Sequence, residues 1–273
     1  VTDLLEPLDY AFFRHGLAVA VLAGALCGLV GTFVVLRGMS YLGHGLSHAV
    51  FGAAAVGSVV GVGFYAAAGL GGLIAALTIG RLTRRHVLHA DAVIGVVTTA
   101  SFALGVAVLA RWGQARRSLD AVLFGSILGV GGDDVVMVAG LTVLATAVVA
   151  LRYRALLFAT FDPEVARAAG SPVDRLDDLL MGLLALTVLG TMQVIGAVLV
   201  SAALVIPAAT VRLLTDRFGI MVVGSAVWGA VTGGAGLVAA YHLDVPPGAA
   251  ITLVAAVGFG VAAATGTARR RPT

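Results

Sequence analysis

Charged positions in this chain lie between long apolar stretches and hardly within them. Apolar runs cover about residues 15–36, 42–63, 64–80, 92–110 and 135–151 in the first part. Further runs follow at about 179–198, 199–213, 218–240 and 248–264. Runs of this length satisfy lipid, and helical hydrogen bonds satisfy the backbone inside it. The pattern predicts an all-α, polytopic transmembrane helical bundle of nine crossings, with eight as the alternative. Pro207 should interrupt or kink the short run that contains it. The apolar segment 121–130 is short for a crossing and reads as re-entrant or interfacial.

Arginines set the orientation. With nine crossings, Arg37, the 81–85 cluster, Arg152, Arg154, Arg212, Arg217 and the tail all fall on the cytoplasmic side. The N-terminus is then outside, and Arg111, Arg116 and Arg117 lie outside against the rule. The longest polar stretch, residues 152–178, contains its own helix signals. Asp162 is placed to cap, Pro163 to take the first turn and Glu164 to favour the positive end. VARAA continues the helix, Gly170 can end it, and Ser171-Pro172 starts another turn. A short capped helix between two spans is a handle for a partner, or else a plain surface loop helix.

Composition sharpens this picture. Mean hydropathy is +1.05 and 60% of residues are hydrophobic, which excludes a soluble domain. The 37 glycines suit close helix packing. The net charge of +3 belongs to arginines flanking apolar runs, so a membrane surface is the partner it indicates, and no nucleic acid. Cys27, the single cysteine, sits inside an apolar run, so the chain has no internal disulfide. The opening VTDLLEPLDY lacks the basic region of a cleavable signal, and the first run should stay as an anchor. GxxxxGK[ST] is absent, so ATP hydrolysis in any ATP-driven process belongs to another subunit.

One polar cluster breaks the apolar pattern. GMSYLGHGLSHAV places His44 and His48 four residues apart, on one helical face. Two imidazoles can ligate one borderline transition-metal ion. They can equally be polar residues hydrogen-bonded within a bundle. No Glu follows His44, so this is not HExxH. Two ligands are fewer than a closed structural site needs, and a permeation site must release its ion. Ser47 could orient one ring, or simply bond to a carbonyl. His86 and His89 read as a charged loop, and His15, His242 and Asp244 as a rim that could line an entry. Asp91, Asp120, Asp133 and Asp134 read as span ends, and Thr191 and Gln193 as mid-span polar residues that bond between helices or line a pathway.

Four ordered stretches carry a resemblance. FVVLRGMSYLGHGLSHAVFGAAAVG (33–57), LDAVLFGSILGV (119–130), FDPEVARAAGSPVDRLD (161–177) and VIGAVLVSAALVIPAATVRLLTD (194–216) resemble bacterial zinc/manganese/iron ABC transporter permeases. The resemblance spans nearly the whole chain and implies one permease domain over residues 1–273, with a cytoplasmic coupling segment at about 160–173. It implies a multi-pass protein of the bacterial cytoplasmic membrane that pairs with a second copy of itself. Two cytoplasmic ATPase subunits and an extracytoplasmic metal-binding protein complete the importer. Asp162, Pro163, Glu164, Ala166 and Gly170 fall in the segment that docks on the ATPase. His44 and His48 match the metal position, where family members commonly carry Asp first. A His/His pair leans towards zinc as the transported ion, by ligand preference. The expectation is therefore a zinc-importing permease subunit, not an enzyme, with no bound cofactor and with ATP used by its partner. The alternatives are a manganese or iron permease, or a gradient-driven carrier or channel without an ATPase.

Overall fold

The structure is a computed structural model that describes residues 6–84, 89–112, 125–126 and 129–269. Its described helices begin with a 3-10 turn at Glu6–Asp9, followed by α1 (Ala11–Leu36), α2 (Ser40–Val60), α3 (Phe64–Arg84) and α4 (Ala90–Trp112). Then come α5 (Gly132–Leu151), α6 (Tyr153–Phe161), α7 (Pro163–Ala168) and α8 (Val173–Ile195). The chain closes with α9 (Val200–Leu214), α10 (Phe218–Leu243) and α11 (Pro247–Arg269). Most of segment 121–130, with His86, Asp120, Arg116 and Arg117, lies outside the described residues.

Among the described residues, seven helices are long and apolar enough to cross a membrane: α1, α3, α4, α5, α8, α10 and α11. This corrects the expected eight or nine. Helix α9 has 15 residues. That is about 22 Å of helix against a hydrocarbon core of roughly 30 Å. Helix α2 has 21 residues, but His44, His48, serines and glycines dilute its apolar character. Helix α9 runs through Pro207 without ending there.

Helices α1 and α8 are largely enclosed by the others, whereas α4 and α5 keep most of their surface open. Val96, Leu104, Val136 and Val143 are exposed there, as lipid-facing side chains can be. The centre is held by backbone proximity. Gly24 and Gly229 meet so closely that a Cβ on either would fall 2.0 Å from the other's carbonyl oxygen. One turn on, a Cβ on Gly28 would fall 1.9 Å from the Ser225 carbonyl oxygen. Helices α1 and α10 thus cross almost backbone to backbone, which a side chain larger than hydrogen prevents. Buried threonines satisfy themselves within their own helices: Thr32, Thr187 and Thr191 donate to carbonyls four residues back at 2.7–3.0 Å. Thr191 is fully buried in the packed interior of the bundle.

Arg37, Arg152, Arg154 and Arg217 lie towards one end of the bundle. Phe218, opening α10, packs its ring against Phe33, Tyr153 and Phe161 with centroids 5.4–5.9 Å apart. The end of α1, the α5–α6 junction and the end of α6 therefore meet at one level. Tyr65, near the start of α3, bonds to Asp134 at the start of α5, at the other end. Asp134 also accepts from Gly131 N at 2.8 Å and so closes the first turn of α5. Between α8 and α9 the chain breaks at Gly196, with φ of +87°.

Candidate functional site: a histidine pair and a polar segment

The corner Arg37-Gly38-Met39 turns α1 into α2, with Gly38 at φ +66°. His44 lies within the first turns of α2 and His48 one turn further. Their rings meet edge to face, centroids 4.7 Å apart and planes at 88°. The two Nε2 atoms are 3.3 Å apart, one ring donating to the other according to tautomer. His44 is exposed on this chain and His48 half-buried. His48 Nδ1 is buried without a hydrogen-bond partner among the described residues.

Helix α4 supports this pair. A Cβ on Gly52 would fall 2.1 Å from the Ser101 carbonyl oxygen, so α2 and α4 nearly touch there. That approach brings Phe102 against the His48 ring, centroids 5.0 Å apart, and against Phe51 at 5.4 Å. Sequence reasoning missed Phe102, because no local signal links it to α2. Ser47 donates to the His44 carbonyl at 2.8 Å, a backbone bond that orients neither ring.

Two nitrogen ligands of one ion, at bonds of about 2.1 Å, stand roughly 3.0–3.4 Å apart for octahedral to tetrahedral angles. The observed 3.3 Å fits that bite. The described residues contain no cluster of three or more His, Cys, Asp or Glu able to hold an ion. His15, His242 and Asp244 accordingly form no such cluster. His89 precedes α4, and Asp91 lies exposed in its first turn.

The polar segment sits at the Arg37 end of the bundle. Asp162 Oδ1 accepts from Val165 N at 3.0 Å and caps α7, with Pro163 in its first turn. Gly170 follows at φ +81°. Residues 161–170 are all exposed except Ala166, which is fully buried and seats the short helix on the bundle. Phe161 and Val165 are 59% and 51% exposed beside Glu164, an apolar pair that the sequence reading did not single out. Behind the segment, Arg37 reaches across the chain. Its Nε donates to Thr160 Oγ1 of α6 at 3.2 Å, and its Nη1 to Asp177 Oδ1 of α8. Arg84, at the end of α3, donates to Asp178 Oδ1 at 2.6 Å. These pairs join positions far apart in sequence, so spacing could not reveal them.

The chain as a whole is similar to known proteins. The profile of the ABC 3 transport family matches residues 9–266. The chain is 37% identical over 257 residues to the manganese transport system membrane protein MntC of Halalkalibacterium halodurans, covering 94% of this chain and 88% of that one. It is 30% identical over 256 residues to the chelated iron transport system membrane protein YfeC of Yersinia pestis, covering 94% and 87%. The solved structure of PsaBC from Streptococcus pneumoniae in complex with Fab superposes with a TM-score of 0.86 at 32% identity, covering 96% and 94%. The expectation of a zinc-transporting branch, with zinc as the transported ion, is corrected by these relatives, which are named for manganese and iron. The physical reason is that imidazole serves several first-row ions, and two ligands leave most of the coordination sphere undecided.

Proposed function

Because this chain belongs to the ABC 3 transport family, we propose that it forms the membrane pathway of a manganese- or iron-type importer driven by a separate ATPase. The chain is a multi-pass transport subunit and not an enzyme. Similarity over nearly its whole length to permeases named for manganese and iron supports the class of cargo. The observation that carries the site is the 3.3 Å separation of two Nε2 atoms in a helix of the bundle. His44 and His48 hold the ion in passing, and water or a second copy of the chain supplies the remaining ligands. A second copy also covers the exposed His44, which lipid would solvate poorly. Segment 161–170, exposed around its buried Ala166, docks on the ATPase through Asp162, Pro163, Glu164 and Gly170. An extracytoplasmic binding protein delivers the ion at the opposite end.

Proteoliposomes containing the chain, its ATPase and its binding protein test this directly. Manganese or iron(II) uptake should require ATP on the cytoplasmic side. His44→Ala and His48→Ala should each lower uptake at limiting metal by at least about tenfold, the scale on which disturbed coordination costs metal affinity. Uptake that persists without ATP would indicate a carrier or channel instead. Unchanged kinetics in both variants would remove the pair from the pathway.

A further inference from the structure

We infer that Arg37 and Arg84 are positioning residues that tie the ATPase-docking segment to the histidine-bearing helix, so that ATP hydrolysis and ion movement stay in step. This rests on the permease reading above and assigns that reading a transmission path.

Asp177 and Asp178 are consecutive on the first turns of α8, directly after the polar segment. Asp177 is held by Arg37 and Asp178 by Arg84. Arg37 stands at the corner between α1 and α2, only three residues before α2 begins, and also holds Thr160 of α6. One guanidinium thus joins the element before the docking segment, the element after it, and the corner that opens α2. Arg84 ends α3, which packs along both α2 and α8. Helix α2 is therefore gripped at its base by one pair and flanked by a helix that the other pair secures.

These pairs differ from the other two ion pairs among the described residues. Side-chain exposures are 11% and 19% for Arg37 and Asp177, and 23% and 33% for Arg84 and Asp178. Arg167–Asp174 and Arg212–Asp216 are 43–73% exposed, as surface pairs of little energetic weight are. Arg37 Nη2 and Arg84 Nη1 are buried with no hydrogen-bond partner among the described residues. Burying a guanidinium with a donor unused costs stability, so such a pair is poorly explained as a device for stability alone. Its best-attested use is to specify geometry between elements. A rigid connection with discrete arrangements is what transmission between two sites requires.

The test uses the complete complex in proteoliposomes and reads ions imported per ATP hydrolysed, with assembly and melting temperature measured alongside. Arg37→Gln and Asp177→Asn should each lower the ratio about threefold or more, within the span of coupling effects seen for such networks. Hydrolysis should persist while uptake falls. The exchanged pair Arg37→Asp with Asp177→Arg should recover much of the ratio, and Arg37→Lys part of it. Thr160→Val, which removes a single hydrogen bond, should lower the ratio mildly and covers the case in which an Arg37 variant fails to fold. Arg84→Gln should act like Arg37→Gln, and the exposed Arg212→Gln should leave the ratio unchanged. An unchanged ratio in assembled Arg37, Thr160 and Arg84 variants overturns the inference while leaving the permease reading intact. So does a parallel fall in uptake and hydrolysis together with the melting temperature. A parent complex without ATP-dependent uptake overturns both.

Discussion

His48 is held from two directions, by the edge of the His44 ring and by Phe102 on α4. A ligand whose ring is fixed before the ion arrives loses less freedom on binding. Replacing Phe102 with Leu keeps the volume roughly constant but removes the ring contact. The half-saturating metal concentration for uptake should rise about two- to tenfold, the worth of one aromatic contact. The rate at saturating metal should change much less. A saturation curve that superposes on the parent's would show that Phe102 is packing only. The shared face of His44 and His48 was legible because four residues return a helix to the same side. Phe102 was not, since its approach depends on Gly52 letting two backbones touch. The zinc lean failed at this scale too: it took the identity of two ligands for the selectivity of a whole coordination sphere.

Helix α7 has six residues, far fewer than a helix needs to stand alone in water. It persists because Asp162 caps it, Pro163 presets its first turn and Ala166 is seated in the bundle. Losing the cap costs about 0.5–2 kcal/mol, a large share for so short an element. Asp162→Ala should therefore lower ATP hydrolysis stimulated by the metal-loaded binding protein, with the melting temperature of the bundle unchanged. Asp162→Asn, which can still accept from Val165 N, should retain most of the stimulation. Equal losses in both variants would mean that charge, and not the cap, is what the ATPase meets. This helix was readable from Asp-Pro-Glu followed by Ala-Ala-Gly, since capping chemistry is local. The break between α8 and α9 was expected at about residue 198 and falls at Gly196, but the sequence does not say what closes over it. Its backbone turn is matched by contacts from distant glycines: a Cβ on Gly248 would fall 1.9 Å from the Ile195 carbonyl oxygen.

The molecule leaves two kinds of surface open. Helices α4 and α5 present valines and leucines, which lipid accepts, whereas the start of α2 presents Tyr41 at 69% exposure and His44. If a second copy covers the latter face across a two-fold axis, residues near the axis meet their own counterparts. The sole native cysteine, Cys27, is buried, so an introduced thiol reports cleanly. Tyr41→Cys should give a species of twice the chain's mass with a short bismaleimide in native membranes. Val143→Cys, equally exposed on α5, should not. A monomer in both cases would exclude pairing through this face. The overall plan was legible because lipid imposes long apolar runs whatever the packing, but which runs lie central and which peripheral was not, because that depends on where glycines allow contact. The crossing of α1 and α10 at Gly24 and Gly229 has a mechanical consequence. A contact made of carbonyls and hydrogens has no rotamers to readjust, so it cannot yield by small steps. The two helices should therefore shift together as one unit when the bundle changes shape.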